Sequence, residues 1–387
     1  MAASAPSPQR VPTPSDAAEV EELVCDAAGS GRRLELRAGG TKAGLGRALT
    51  EEAARVDLSR LTGVVTYEPE ELILVVRPGT RLLQVEELLA GCGQHLAFEP
   101  PHWGEAATVG GTLSCGWAGP RRFRAGSVRD FVLGVELVDG RGRRLRAGGR
   151  VVKNVTGYDL WRATVGAFGT LGILTEVCLK LWPRPTAERS LRVGGLAPAE
   201  AAAGLLEWSC RPEEISGLAI DAEGRLLARL EGSERGVAQQ VKQLVPEAPG
   251  PVEVLAADES ARLWSGLREA EPYRAAPGEA LWRIAVPPSR APAAVSAMAA
   301  FGLRRSGLDW GGGLLWAVLP ADADAAGVHE AVARLDGAGS RLATGPGDGN
   351  PRAFTPLSPG VARMNGILKS TLDPQGLFNR GRMYSGR

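Results

Sequence analysis

Apolar positions at helical spacing over residues Ala17 to Ala28 predict a first helix, and Leu34-Glu35-Leu36-Arg37 alternates as a short strand. Gly39-Gly40 stops that strand. β-branched runs bounded by Pro and Gly predict strands over Gly63 to Tyr67 and Glu71 to Arg77. Leu82 to Ala90 returns to helical spacing, and residues 104–126, with glycines at 104, 110, 111, 116, 119 and 126, read as loop. Phe131 to Val138 is an apolar strand, Asp139-Gly140 a turn, and Leu145 the start of the partner strand. Leu160 to Val165 reads as a short helix and Ile173 to Leu181 as a strand, with a boundary at Pro183 and Pro185. Strand pairs followed by helices, without regular strand–helix–strand alternation, predict an α+β fold.

Beyond residue 187 the rhythm changes. Strand patterns at Gly217 to Ile220, Leu226 to Leu230, Trp282 to Val286 and Leu314 to Leu319 precede polar or helical stretches. The helices fall at Val237 to Leu244, Ala291 to Ala300 and Ala325 to Leu335. The pattern predicts an antiparallel sheet with helices on one face, and Leu281 to Phe301 with Leu314 to Leu335 reads as a weak strand–helix repeat. A Gly/Pro linker follows at 343–351, then a helix from about Val361 to Leu372 that ends at Asp373-Pro374. The expected organisation is a disordered tail (1–16), a first domain (17–185), a second domain (187–350) and a returning segment (351–387).

Composition narrows the function classes. With 45 basic and 44 acidic residues the chain lacks the basic excess of a nucleic-acid binder. Cys25, Cys92, Cys115, Cys178 and Cys210 are widely spaced. That excludes a close-spaced metal or iron–sulfur motif and reads as free thiols in a reducing compartment. No apolar run reaches the length of a membrane span and the Ala/Ser/Pro-rich start lacks a signal-peptide core, so the expectation is cytoplasmic, at most peripheral to a membrane.

Three segments carry candidate chemistry. In the first, Gly39-Gly40-Thr41-Lys42, a strand runs into two glycines whose backbone N–H groups can converge on an anion such as a diphosphate. Alone, the segment fits a plain hairpin turn more readily. The second runs from Thr108-Val109-Gly110-Gly111-Thr112 to Gly119-Pro120-Arg121-Arg122; its glycines suit a backbone that must approach a ligand, and a flexible linker is the lesser reading because strands resume at once. The third, from Lys153-Asn154 to Gly169-Thr170-Leu171-Gly172-Ile173, fits either a ligand loop or a tight helix–strand crossing. Neither a G-x-G-x-x-G after a strand nor a G-x-x-x-x-G-K-[ST] is present. The residues themselves therefore lead to a phosphate- or dinucleotide-binding α+β protein outside the Rossmann class.

Taken together, RAGGTKAGLGR (37–47), residues 96–142, residues 151–185 and LKSTLDPQGLFNRGRM (368–383) resemble the p-cresol methylhydroxylase/vanillyl-alcohol oxidase FAD-binding family. Within it they are similar to the E-type FAD-binding subunits of glycolate oxidases. The resemblance implies a two-subdomain FAD domain with an α+β cap. It implies a pyrophosphate against the loops 39–42 and 108–112, with Gly119, Pro120 and Gly169 to Ile173 along the flavin and adenosine. Arg121 and Asn154 join these as candidate cofactor contacts. Some relatives attach FAD through a His after the Gly-Gly; Thr41 stands there, so the expectation is non-covalent FAD. Arg380 replaces a Pro usual in the C-terminal motif, which leaves the rigidity of that turn open. The implied partners are a second FAD-containing subunit and an iron–sulfur subunit, and the implied substrate is glycolate or another small 2-hydroxy acid.

Oxidising a 2-hydroxy acid needs a base, a cation for the carboxylate and a flavin to accept hydride. The chain has only His95, His102 and His329. His102 is the candidate base by its place before a flavin loop, although a packed loop histidine is the readier reading. His329 is expected at the surface and His95 at a turn. One histidine in 187–350 leaves no paired-His metal site there, so no metal is expected. Arg121 and Arg122 are candidates for a carboxylate clamp. Two further readings stay open: a self-sufficient FAD oxidase or dehydrogenase, and a structural flavin subunit that does not turn over.

Overall fold

The structure, a computed structural model, describes residues 11–49, 52–149, 160–211, 214–342, 350 and 352–385. The first half holds β1 (Leu34–Arg37), β2 (Ala54–Asp57), β3 (Val64–Glu68), β4 (Ile73–Val76), β5 (Gln94–His95), β6 (Val132–Val138), β7 (Arg144–Gly148), β8 (Ile173–Lys180) and β9 (Trp182–Pro183). Its helices are α1 (Ala17–Ser30), α2 (Leu82–Ala90), α3 (Val109–Cys115), α4 (Arg122–Ala125) and α5 (Val128–Phe131). The Asp16 side chain caps α1 by accepting from the Glu19 N–H, and Gly31 ends the helix in the left-handed region. β3-β4-β8-β6-β7 form an antiparallel sheet, and α2, α3 and α5 bury Val85, Leu113 and Phe131 against it. β1 and β2 pair in parallel beside it.

The second half has strands β10 (Ala187–Val193), β11 (Ile215–Ile220), β12 (Leu226–Gly232), β13 (Val252–Leu255), β14 (Glu279–Ala285), β15 (Arg305–Asp309), β16 (Leu314–Pro320) and β17 (Ala338–Arg341). The helices are α6 (Pro198–Ser209), α7 (Glu234–Leu244), α8 (Ala257–Arg268), α9 (Ala291–Ala299) and α10 (Ala325–Arg334), and α11 (Pro359–Leu372) follows. All eight strands join one sheet in the order β13-β10-β12-β11-β15-β16-β14-β17. Two strand–helix–strand–strand–helix–strand units are thus set edge to edge. They meet through their second strands, β11 and β15, at the single pair Ile220↔Leu308. The repeat is therefore twice as long as its sequence signal: the two segments that look alike, β14-α9 and β16-α10, are halves of one unit.

Alternation assigns the faces. Leu226, Ala228 and Leu230 of β12, with Leu315, Ala317 and Leu319 of β16, pack under α6, α7, α9 and α10. Leu227, Leu314, Trp316 and Val318 point the other way, toward α8 and the first half. The expectation of helices on one face holds for four of them, while α8 covers part of the other, through Trp264 and Leu267. Because strands are buried on both faces, their sequences read as continuous apolar runs, not alternating ones.

Two expectations are corrected here. Residues 104–126 are not all loop, since α3 and α4 lie within them. His329 is not at the surface: it is 3% exposed, against Trp282, bonded to Thr355 Oγ1 (3.0 Å) and the Arg352 carbonyl (2.7 Å). The returning segment reaches the first half. The Leu34 N–H donates to the Leu377 carbonyl (2.8 Å), and the Asn379 N–H donates to the Leu34 carbonyl (3.0 Å). Among the described residues, no helix is long and apolar enough to cross a membrane.

Candidate functional site

A cleft opens where β1 ends. Gly39, Gly40, Thr41 and Lys42 line one side, α3 and the segment 164–174 another, and Asn379 and Arg382 close the end. It encloses about 1150 Å³ of empty space, open solvent included.

The glycine pair does two different things. A Cβ on Gly39 would lie 1.6 Å from the Ala106 carbonyl oxygen, so only glycine lets the loop close on that chain. Gly40 sits at φ +71° with open space where a Cβ would point. Among the described residues, no acceptor takes the backbone N–H of Gly39, Gly40, Thr41 or Lys42. Consecutive free N–H groups around a left-handed residue form an anion nest. Lys42 adds charge: its Nζ donates to the His102 carbonyl (3.1 Å), and burial lowers its pKa. These groups fit a diphosphate, as an FAD site requires.

Segment 108–112 serves the cleft differently from its expected role. Thr108 caps α3, taking the Gly111 N–H at 3.2 Å. The Val109 and Gly110 N–H groups donate to the Thr80 and Pro78 carbonyls (3.0 and 2.7 Å), and Thr112 N–H donates to Thr108 O. The amides of 109–112 are all taken, so Gly110 and Gly111 offer the cleft surface and not donors. Val109 and Thr112 are buried behind that surface. The third segment is tied onto α3, since the Phe168 N–H donates to the Ser114 carbonyl (2.8 Å). Gly169, Gly172 and Ile173 line the cleft, whereas Thr170 turns its hydroxyl onto the Ala167 carbonyl (2.7 Å). Asn154 lies outside the described residues.

Asn379 escaped the sequence reading. Its Oδ1 accepts from the Leu36 N–H (2.9 Å), and its Nδ2 donates to the Phe168 carbonyl (2.8 Å). One side chain thus fixes both banks of the cleft, 343 residues from Leu36 and 211 from Phe168 along the chain. The turn that carries it does not need a proline at 380. The Asp373 carboxylate accepts the Leu377 and Phe378 N–H groups (2.9 Å each), and Lys369 Nζ joins Asp373 to the Thr170 carbonyl (2.6 Å each). Replacing Asn379 with alanine is expected to weaken FAD retention about tenfold, as loss of one to two buried hydrogen bonds would; titrating apoprotein with FAD measures it.

Three assigned contacts lie elsewhere. Gly119, Pro120 and Arg121 do not line the cleft; they sit at the seam with the eight-stranded sheet. Arg121 is no anion clamp, because its guanidinium is already bound to Glu99 (2.9 Å) and Glu231 (2.6 Å). His102 is a packed loop residue and does not line the cleft: its Nε2 is 3.0 Å from Glu86 Oε1, and its N–H donates to Glu269. His95 pairs with Trp182 between β5 and β9, and burial, helped by Arg121, pushes its pKa down to about 4. The cleft's titratable side chains are Glu35, Arg37, Lys42, Cys115 and Arg382. Glu35 is paired to Arg37, and burial pushes the Cys115 thiol up to about 11. Among the described residues, no cluster of three His, Cys, Asp or Glu side chains is arranged to hold a metal ion.

Residues 8–148 match the model of the FAD binding domain. The chain is 42% identical to the glycolate oxidase subunit GlcE of Escherichia coli over 353 residues, 91% of this chain and 93% of that one. The chain belongs to the GlcE family. It is also 31% identical to the glycolate oxidase subunit GlcD of Bacillus subtilis, over 48% of this chain and 39% of that one. A D-lactate dehydrogenase of Archaeoglobus fulgidus matches over a similar stretch, 44% of this chain at 32% identity and 38% of that protein. The fold extends beyond the GlcE family: alkyldihydroxyacetonephosphate synthase superposes with a TM-score of 0.68 at 16% identity, covering 94% of this chain and 74% of the other. That breadth covers both halves, including the eight-stranded sheet.

Proposed function

We propose that this chain is the FAD-binding E-type subunit of a glycolate oxidase, holding FAD non-covalently and working beside a second flavin subunit and an iron–sulfur subunit. The observation that carries the reading is the nest of free amides at Gly39 to Lys42 beside Lys42 Nζ, in a GlcE-family chain. Flavin, when bound, supplies the two-electron acceptor for oxidation of the 2-hydroxy acid. The chain's own part is to hold it. The 39–42 amides and Lys42 take the diphosphate, while Gly169, Gly172 and Ile173 with Asn379 form the opposite wall. Thr41 lies at the mouth of the nest with no ring nitrogen to form a flavin bond, its methyl directed at Gly104. The cleft lacks a histidine to take the hydroxyl proton, which favours a subunit over a self-sufficient oxidase.

Acid precipitation of the purified chain is expected to release all its flavin into the supernatant; yellow protein in the pellet would refute non-covalent attachment. Anaerobic glycolate is expected to leave the isolated chain's flavin oxidised and to bleach it when the partner subunits are added. Bleaching of the chain alone would favour the self-sufficient enzyme.

A further inference from the structure

The seam between the two halves contains two cations that form no salt bridge with any described residue. Arg283 lies on β14, where Trp282 and Ile284 point into the helix-covered core, so Arg283 points the opposite way, toward the first half. Its guanidinium stacks on Trp117 (4.7 Å) from the first half and on Trp310 (4.8 Å) from the loop after β15. Arg122, the first residue of α4, stacks on the same Trp310 ring at 4.5 Å. The two guanidinium carbons are therefore both within 5 Å of one indole, supplied by opposite halves of the chain. Neither makes an ion pair or a hydrogen bond to any described residue. The contrast with Arg121 is direct: one residue earlier, the guanidinium is neutralised by Glu99 and Glu231.

The surroundings sharpen the imbalance. The acidic group whose field reaches Arg283 is Asp309, whose carboxylate accepts the Trp310 N–H at 2.7 Å. Burial pushes Asp309 up to about 7, so it offsets Arg283 only in part, and Asp130 acts on Arg122 without forming a salt bridge. Burial and the nearby Arg122 push Arg283 down to about 9. A further donor in the same aromatic cluster is unused: Trp103 Nε1 is buried without a partner, its ring edge-on to Trp117 at 5.1 Å. Buried donors and charges are normally paired. Arg283 and Trp310 nevertheless keep partial exposure, so the place is reachable. It is linked to the cleft along the chain: Cys115 lines the cleft and Trp117 follows it by two residues.

We propose that Arg283 and Arg122, held on Trp310 across the seam, bind the carboxylate of a small organic acid beside the FAD cleft. Planar guanidinium groups suit a carboxylate, and the indole walls exclude a bulky ligand. This rests on the reading of the chain as an FAD subunit for 2-hydroxy acids and gives that acid a place on this chain. Arg283 and Arg122 would be binding residues, drawing the two halves together around the anion.

The test uses the full chain, with flavin content measured separately by acid release. Oxalate, an inert dicarboxylate, is titrated by calorimetry and tryptophan fluorescence, with glycolamide as the neutral control. Wild-type chain is expected to bind oxalate and not glycolamide. Arg283→Met and Arg122→Met are each expected to weaken oxalate about tenfold or more, as loss of a charged hydrogen-bonding partner does. Without oxalate neither variant should melt below wild type, since each removes an unpaired cation; oxalate should raise the melting temperature of wild type only. No oxalate binding by wild type, or unchanged binding by the double variant, would overturn the site. Flavin-free chain that still binds oxalate would support the site while counting against the FAD reading; flavin-loaded chain that ignores oxalate would do the reverse.

Discussion

Replacing Gly39 with alanine is expected to abolish stable FAD binding. The added Cβ would stand 1.6 Å from a backbone carbonyl oxygen, that of Ala106, which no side-chain rotation relieves. Either the 39–42 loop, which lines the cleft, or the 104–107 chain, which leads into the cleft-lining Thr108, must move. Ordinary overpacking costs about 1–3 kcal/mol; a backbone clash this deep belongs at or above that upper value, and ~3 kcal/mol is already more than about 100-fold in affinity. Gly40→Ala is the informative partner. Its Cβ meets nothing within 4 Å, and only its φ of +71° is costly. Left-handed backbone costs an alanine roughly 1–2 kcal/mol, so about a tenfold loss is expected. Flavin per chain after gel filtration, with the FAD affinity of apoprotein, separates the two. Equal and small effects at both positions would remove the loop from the diphosphate site.

The glycine pair stood out in the sequence because its signal is local, although alone it fitted a hairpin turn more readily. A strand that ends on two glycines needs no distant partner to be noticed, and α2, with apolar residues at helical spacing from Leu82 to Ala90, was equally plain. Where contacts are distant, the sequence is silent. Asn379 acts on Leu36 and Phe168, far off in the chain, and its own neighbourhood offered only a turn motif. β13, a four-residue edge strand, and α6, rich in alanine, gave weak patterns because neither has clear periodicity. α3 was hidden by its glycines, which read as loop, although Thr108 before them is a good N-cap. Arg121 and Arg122 look alike in sequence. Only the fold shows that one faces two carboxylates and the other an indole.

The second large effect is expected at Glu99, which holds the seam closed. Glu99 is 7% exposed, and its carboxylate accepts from Arg229 (2.9 and 3.0 Å) on β12 and from the Arg121 side chain (2.9 Å). Arg229 is itself 1% exposed and stacks on Trp264 at 4.7 Å. Removing one member of a buried pair leaves the other charge uncompensated, at about 3–5 kcal/mol. Glu99→Ala is therefore expected to lower the melting temperature by on the order of 10 °C. Glu99→Met combined with Arg229→Met should recover most of that loss, since an apolar replacement of the whole pair is often neutral; failure to recover would mean that the pair does more than neutralise itself. The pH dependence follows from the same geometry. Burial alone would raise the Glu99 pKa, but Arg229 and then Arg121 overcome it and hold it at about 2, and Glu231 is held at about 2 by the same two arginines. A carboxylate depressed in the folded state adds stability above its unfolded pKa of about 4.5, and loses it as pH falls toward the folded value. Wild-type stability should thus decline between about pH 5 and pH 2, and the decline should be shallower in Glu99→Ala. Because Arg121 immediately precedes Arg122, loosening this network should also weaken oxalate at the neighbouring site, while Gly39 to Lys42, which make no contact with Glu99, keep their hold on FAD.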